Sequence, residues 1–202
     1  MMKATECIAL FNRAIDDYHV TDDVDAKMNS DFVPDSIEEL LYRKCWIDTV
    51  QWHLEDIIRD PEIDDKKGIE IKRRIDASNQ ARTDLVEQID DWFNATLSEV
   101  KPKENARLNT ESIAWVVDRI SILCLKLYHM KEQTERPDAE PAHLQKCHMK
   151  YAVLLEQEQD ITRSFDELLE DIASGDRIVK VYRQMKMYND ESLNPVLYQN
   201  KD

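Results

Sequence analysis

The chain has 202 residues, a formal net charge of −15, and only two glycines and six prolines. So little turn punctuation argues against a many-stranded sheet, and so much negative charge argues against nucleic acid and anionic membranes as general partners. What remains is an acidic, all-helical chain long enough to bury a sizeable core.

The charge is uneven. Residues 1–65 hold 17 acidic and 6 basic side chains, and the rest hold 25 and 21. Residues 5–19 place Ile8, Leu10, Phe11, Ala14 and Ile15 at the spacing of a short amphipathic helix. Thr21 to Asp35 is an acidic loop. Asp23, Asp25, Asn29 and Asp31 suggest calcium, but an EF-hand loop needs glycine and glutamate where Met28 and Pro34 stand.

Ser36 with Glu39 forms a capping-box pattern for a helix that Asp60-Pro61 ends near Arg59. Its apolar face is Leu40, Ile47, Val50, Leu54, Ile57 and Ile58. At 100° per residue, Cys45, Asp48, Trp52, Glu55 and Arg59 fall together on another face, with Asp56 beside them. Trp46 and His53 lie on the flank, and His53 is a candidate general base. A large aromatic among carboxylates and an arginine is unusual on a solvated surface.

A second long helix is predicted over about Asp65–Glu99. Its stripe is Ile71, Ile75, Ser78, Arg82, Leu85, Ile89 and Phe93, so Arg82 occupies an apolar position near Asn79. The stretch Thr110–Met130, capped by Asn109 or Thr110, is apolar nearly all round and should be the buried centre of the fold. Asp118, Arg119, Lys126 and His129 interrupt it at a cost too high for lipid. The last long helix is predicted to begin near Pro141 and end at Ser174-Gly175, with Glu158 in the middle of its stripe. A basic island follows, Arg177, Lys180, Arg183 and Lys186, read as a short helix and an ordered tail.

The expected architecture is therefore all-α. Four principal helices form a bundle, with a short N-terminal helix and a C-terminal basic helical segment. It is read as a single helical domain: residues 1–35 the N-terminal helix and acidic loop, 36–174 the bundle, and 175–202 the basic segment and tail.

Arg82, Asp118, Arg119 and Glu158 stand where periodicity demands apolar residues. Buried singly they would consume much of a domain's ~5–15 kcal/mol, so they should meet, with Glu158 on Arg82 or Arg119 and Asp118 on the other. Such a polar centre is either a closed network that fixes helix register or a pocket. As a pocket it suits a phosphorylated or nucleotide-type anion. Trp52, Arg59, Asn79, Arg82, Asp118, Arg119, Arg183 and Lys186 are then the binding candidates, and Glu55, Asp56 and Glu158 the candidates for proton transfer or a divalent ion.

No metal-ligand set is legible. His143 and Cys147 share a face but lack two further ligands, and Glu140-x-x-His143 has no second copy. Glu87-x-x-Asp90 resembles half of the paired-carboxylate pattern of helical nucleotide pyrophosphohydrolases, but the partner pair is missing, since Glu167-x-x-Glu170 points away from its stripe and reads as solvated. No P-loop, GxGxxG or GxSxG string occurs. The dispersed cysteines Cys7, Cys45, Cys124 and Cys147 read as reduced apolar residues, which, with no signal-peptide core, suggests the cytoplasm. Homo-oligomerisation through exposed stripe edges is a further expectation.

The strings WHLEDIIRDP (52–61), DASNQARTDLVEQID (76–90), ESIAWVVDRISILCLKLYHM (111–130) and KVYRQMKMYNDESLNP (180–195) resemble the domain-of-unknown-function family numbered 4254. The resemblance runs from about Ile37 to Tyr198. It implies a bacterial, soluble, mostly helical protein, and brings no activity, cofactor or catalytic residue with it.

Overall fold

The computed structural model describes residues 2–185 and 190–199. Its helices are α1 (Ala4–His19), α2 (Ile37–Ile58), α3 (Asp65–Thr96), α4 (Ile113–Thr134), α5 (Pro141–Ala173) and the single-turn α6 (Pro195–Tyr198). Two two-residue strands, β1 (Arg107–Leu108) and β2 (Arg177–Ile178), pair in parallel. The all-α expectation holds, with four long helices as its frame.

The pairing of helices follows from which residues meet. Tyr42 and Cys45 of α2 bond Asp17 and Phe11 of α1, so these two helices run antiparallel. Gln51 meets Asn79 and Arg43 meets Gln88, so α3 returns antiparallel along α2. Arg82 meets Asp118, and Asp90 meets Ala114, which sets α4 antiparallel to α3. One apolar core, including Phe11, Leu41, Ile89, Val117, Leu125 and Phe165, joins α1 to α5, and a smaller cluster of Leu54, Ile71 and Ile75 closes the far end of α2 and α3.

The helix ends show why these segments stop where they do. Ser36 Oγ accepts from Glu39 N at 3.2 Å, the N-cap expected for α2. α4 starts at Ile113 with Ser112 at the N-cap position, two residues beyond Thr110, the later of the two expected caps. Its first turn is capped by the buried Asp90 of α3, whose Oδ1 accepts from Ala114 N at 2.9 Å. A cap supplied by another helix leaves no local signature.

At the end of α5, Asp176 N donates to Asp171 O and Gly175 N to Ile172 O, the double bond of a Schellman turn. Gly175 has φ +79°, and a Cβ there would lie 2.7 Å from Lys101 O. Gly175→Ala should therefore destabilise the chain by more than ~1 kcal/mol, read as a lower urea midpoint at unchanged slope.

Two expectations are corrected. Over residues 179–185 the basic segment is not helical: it runs on as irregular chain from β2, where Asn109 N and Arg107 N donate to Ile178 O and Asp176 O. Ile178, Val179 and Val181 are β-branched, and lose more side-chain freedom in a helix than in an extended chain. The stripe of α5 is buried only at Cys147, Phe165, Leu169 and Ile172. Upstream, Val153 and Leu155 are exposed.

Cys7, Cys45, Cys124 and Cys147 are buried free thiols. Burial pushes Cys7 and Cys45 up to about 12. Among the described residues no helix is long and apolar enough to cross a membrane.

Candidate functional site

The charged centre of the fold is built from α2, α3 and α4. Arg82 donates from Nε and Nη2 to the two carboxylate oxygens of Asp118, each at 2.8 Å. Lys44, fully buried, reaches Asp118 Oδ1 at 2.9 Å and Asp118 O at 3.3 Å, and pairs closely with Asp48. It thus makes two hydrogen bonds, to Asp48 and to Asp118 O, and a charge contact with Asp118 Oδ1. Ser121 Oγ donates to Asp48 Oδ2 at 2.6 Å, and Arg82 Nε lies 3.5 Å from Asp48 Oδ1. Two cations face two carboxylates, so the cluster is neutral, as burial requires.

The two carboxyls are pushed in opposite directions. Burial is the largest influence on both. At Asp48 it prevails over Lys44 and Ser121, and raises the carboxyl above its ordinary value. At Asp118 the forked bonds from Arg82 and the charge of Lys44 overcome burial and hold it below that value. Adjacent acids split in this way are common at functional sites and in structural networks alike.

Beside the cluster lies a cavity of about 400 Å³ lined by Asp48, Gln51, Trp52, Glu55, Asp56, Arg59, Arg82, Ile122 and Leu125. Its size suits a small ligand. The α2 face read from helical spacing supplies five of these residues: Asp48, Trp52, Glu55, Asp56 and Arg59. Arg59 Nη2 pairs with Glu55 Oε2 at 3.2 Å, and Trp52 stacks on His129 with ring centres 4.8 Å apart. Arg82 Nη1 makes no hydrogen bond with any described residue, so that end of the guanidinium retains donors for a ligand.

The other candidates lie elsewhere. Asn79 accepts from Gln51 Nε2 at 3.0 Å, one layer behind the cavity wall. Arg119 is exposed and pairs with Glu111 at 3.3 Å, along a groove of about 950 Å³ between α4 and α5. Arg183 bonds Glu87 and Asp91 on the outer side of α3. Lys186 lies outside the described residues. Glu158 makes no ion pair among the described residues, and partial burial raises its carboxyl. The expected pairing of Glu158 with Arg82 or Arg119 is thus replaced by Asp118 on Arg82 and Glu111 on Arg119. The physical reason is the half-covered stripe of α5, which leaves Glu158 water and removes the need for a partner.

Lys44, Asp48 and Ser121 complete the cluster, and sequence reasoning did not place them there. Lys44 had a signal: it sits four residues after Leu40 and three before Ile47, on the apolar stripe of α2. His53 touches His19, not a cavity residue, with the two Nε2 atoms 3.2 Å apart. Burial lowers its pKa, opposed by Asp22 and reinforced by His129 and His19.

A helical chain with charges neutralised at its centre defines a fold class but no chemistry. The chain belongs to the family described as a protein of unknown function, DUF4254, which matches residues 38–181. No curated protein and no solved structure matches it.

Proposed function

We propose that the cavity between α2, α3 and α4 binds a phosphorylated or nucleotide-type small molecule. The observation that carries this reading is Arg82: two of its nitrogens are fixed by Asp118, so the guanidinium is held rigid while Nη1 keeps donors for an incoming oxyanion. Arg59 adds a second cation at the rim, and Trp52 offers a planar wall for a ring. Glu55 and Asp56 are placed to take a divalent ion or to handle a proton. Arg119, Arg183 and Glu158 have no part in it. The four unpaired thiols support a reducing compartment such as the cytoplasm.

Thermal-shift titration with nucleotides and sugar phosphates, with and without Mg²⁺, tests the proposal. A ligand present at 100 times its Kd should add about 2.7 kcal/mol to stability. The exposed-rim variants Arg59→Ala and Asp56→Asn should fold normally and lose most of that gain. Equal stabilisation of these variants and the wild type, or none of either, would remove the proposal.

A second reading is favoured by the closure of the ion-pair cluster. Apart from Arg82 Nη1, the groups of Lys44, Asp48, Arg82, Asp118 and Ser121 pair with one another, and such a network fixes the register of three helices with no ligand. The protein would then be a non-catalytic interaction or scaffold protein, and the titration above would show no stabilisation.

A further inference from the structure

Three histidines from three helices meet beside Trp52, which stacks on one of them. His19 ends α1, His53 lies in α2 and His129 in α4, and the nitrogens they offer all lie within 4.8 Å of one another. His19 Nε2 and His53 Nε2 are 3.2 Å apart. Imidazole nitrogens on a tetrahedral zinc, at the usual bond length, stand about 3.3 Å from each other.

In two of the rings Nδ1 carries the proton and Nε2 the lone pair, which in His19 faces His53 Nε2 in the 3.2 Å hydrogen bond. His19 Nδ1 donates to Ile15 O at 2.7 Å, and His129 Nδ1 donates to Glu132 Oε2 at 2.8 Å. Backbone carbonyls and carboxylates on the other ring nitrogen are the usual second layer around metal-bound histidine. His129 Nε2 is buried and has no hydrogen-bond partner among the described residues. Buried polar atoms are seldom left so, and the His129 ring lies 5.3 Å, between ring centres, from each of the other two imidazoles.

The rings are also fixed on their faces. Tyr128 stacks on His19 at 4.2 Å, Tyr18 on His53 at 5.1 Å and Trp52 on His129 at 4.8 Å between ring centres. Asp22 Oδ1 lies 3.8 Å from His53 Nε2. Asp22 has φ +49°, a left-handed conformation that aspartate visits as a single residue just past a helix.

We propose that His19, His53 and His129 bind one zinc-type divalent ion through three imidazole nitrogens, with the fourth position on the Asp22 side. Imidazole donors select zinc, cobalt, nickel or copper over magnesium and calcium. Three nitrogens with an accessible fourth place are the donor set of ions that hold a water or a substrate atom. None of the three histidines lines the Arg82 cavity, so the site stands apart from the anion reading.

The full chain, stripped with a chelator, is titrated with Zn²⁺ by calorimetry and with Co²⁺ by visible absorption. One ion per chain is expected, with the cobalt spectrum of a nitrogen-rich, low-coordinate site. His53→Ala combined with His129→Ala should abolish binding. Glu132→Gln, which keeps all three imidazoles and alters only the partner of His129, should weaken it about 10–100-fold. His143→Ala, at the His143–Cys147 contact of α5, and Arg59→Ala in the cavity should leave it unchanged. Should the histidine variants fail to fold by circular dichroism, Glu132→Gln carries the test alone. Absence of stoichiometric binding, affinity unaltered by Glu132→Gln, or loss of binding in His143→Ala would each overturn the proposal.

Discussion

Replacing Lys44 by methionine is expected to destabilise the chain by about 3–5 kcal/mol, the usual consequence of leaving a buried ion without its partner. Lys44 is wholly enclosed, and it pairs with both carboxylates of the cluster, most closely with Asp48. Without it Asp48 retains, among the described residues, the Ser121 hydroxyl and the more distant Arg82. Methionine fills a similar volume, so the loss reports charge and not a cavity. Adding Asp48→Leu to Lys44→Met should recover much of the stability, because the Arg82–Asp118 fork remains intact. Urea unfolding of both singles and the double gives the coupling directly. Additive losses would show that Lys44 and Asp48 do not stabilise each other.

Asp118→Asn should cost a similar amount, about 3–5 kcal/mol, because it leaves Arg82 and Lys44 facing a neutral amide. It should also change the response to acid. The Asp118 carboxyl is depressed in the folded chain, so its contribution is complete above the unfolded value of ~3.9 and is lost as pH falls through the folded value. Asp48 acts the other way. Its carboxyl is raised on folding, so its contribution is complete below the unfolded value and disappears as pH rises through the folded one. Urea midpoints measured downward from pH 6 should fall for the wild type on the acid side. In Asp118→Asn that fall should be shallower. Parallel curves would show that Asp118 ionises as it does in the unfolded chain.

The four long helices were legible from their stripes, and α2 and α5 also from their ends, because these signals are local. Ser36, Asp60-Pro61, Pro141 and Ser174-Gly175 mark boundaries within one turn of the residues they govern, and the structure keeps them. The α2 face that carries Trp52, Glu55, Asp56 and Arg59 was readable in the same way, since helical spacing fixes which side chains share a side. Arg82 and Asp118 were recognisable as charges on apolar stripes. Their mutual pairing was one of several arrangements that periodicity allows.

What stayed hidden depends on neighbours distant in sequence. Arg119 is only one residue from Asp118, yet it emerges on the solvent side, because one step turns a helix by about 100°. Glu158 followed the stripe of α5 into a region that is only partly covered. Lys44 passes for a solvated lysine unless its place between Leu40 and Ile47 is weighed. His19, His53 and His129 share no spacing pattern and meet only after α1, α2 and α4 have packed. Asp90 begins a helix to which it does not belong.

The sealed sulfurs of Cys7 and Cys45 give the chain a built-in reporter. Alkylating and disulfide-exchange reagents attack the ionised form, which the interior suppresses, so these two positions react only during rare excursions that admit solvent. Cys7 belongs to α1 and Cys45 to α2. The ratio of their modification rates would therefore tell whether the first helix peels away alone or leaves together with its neighbour.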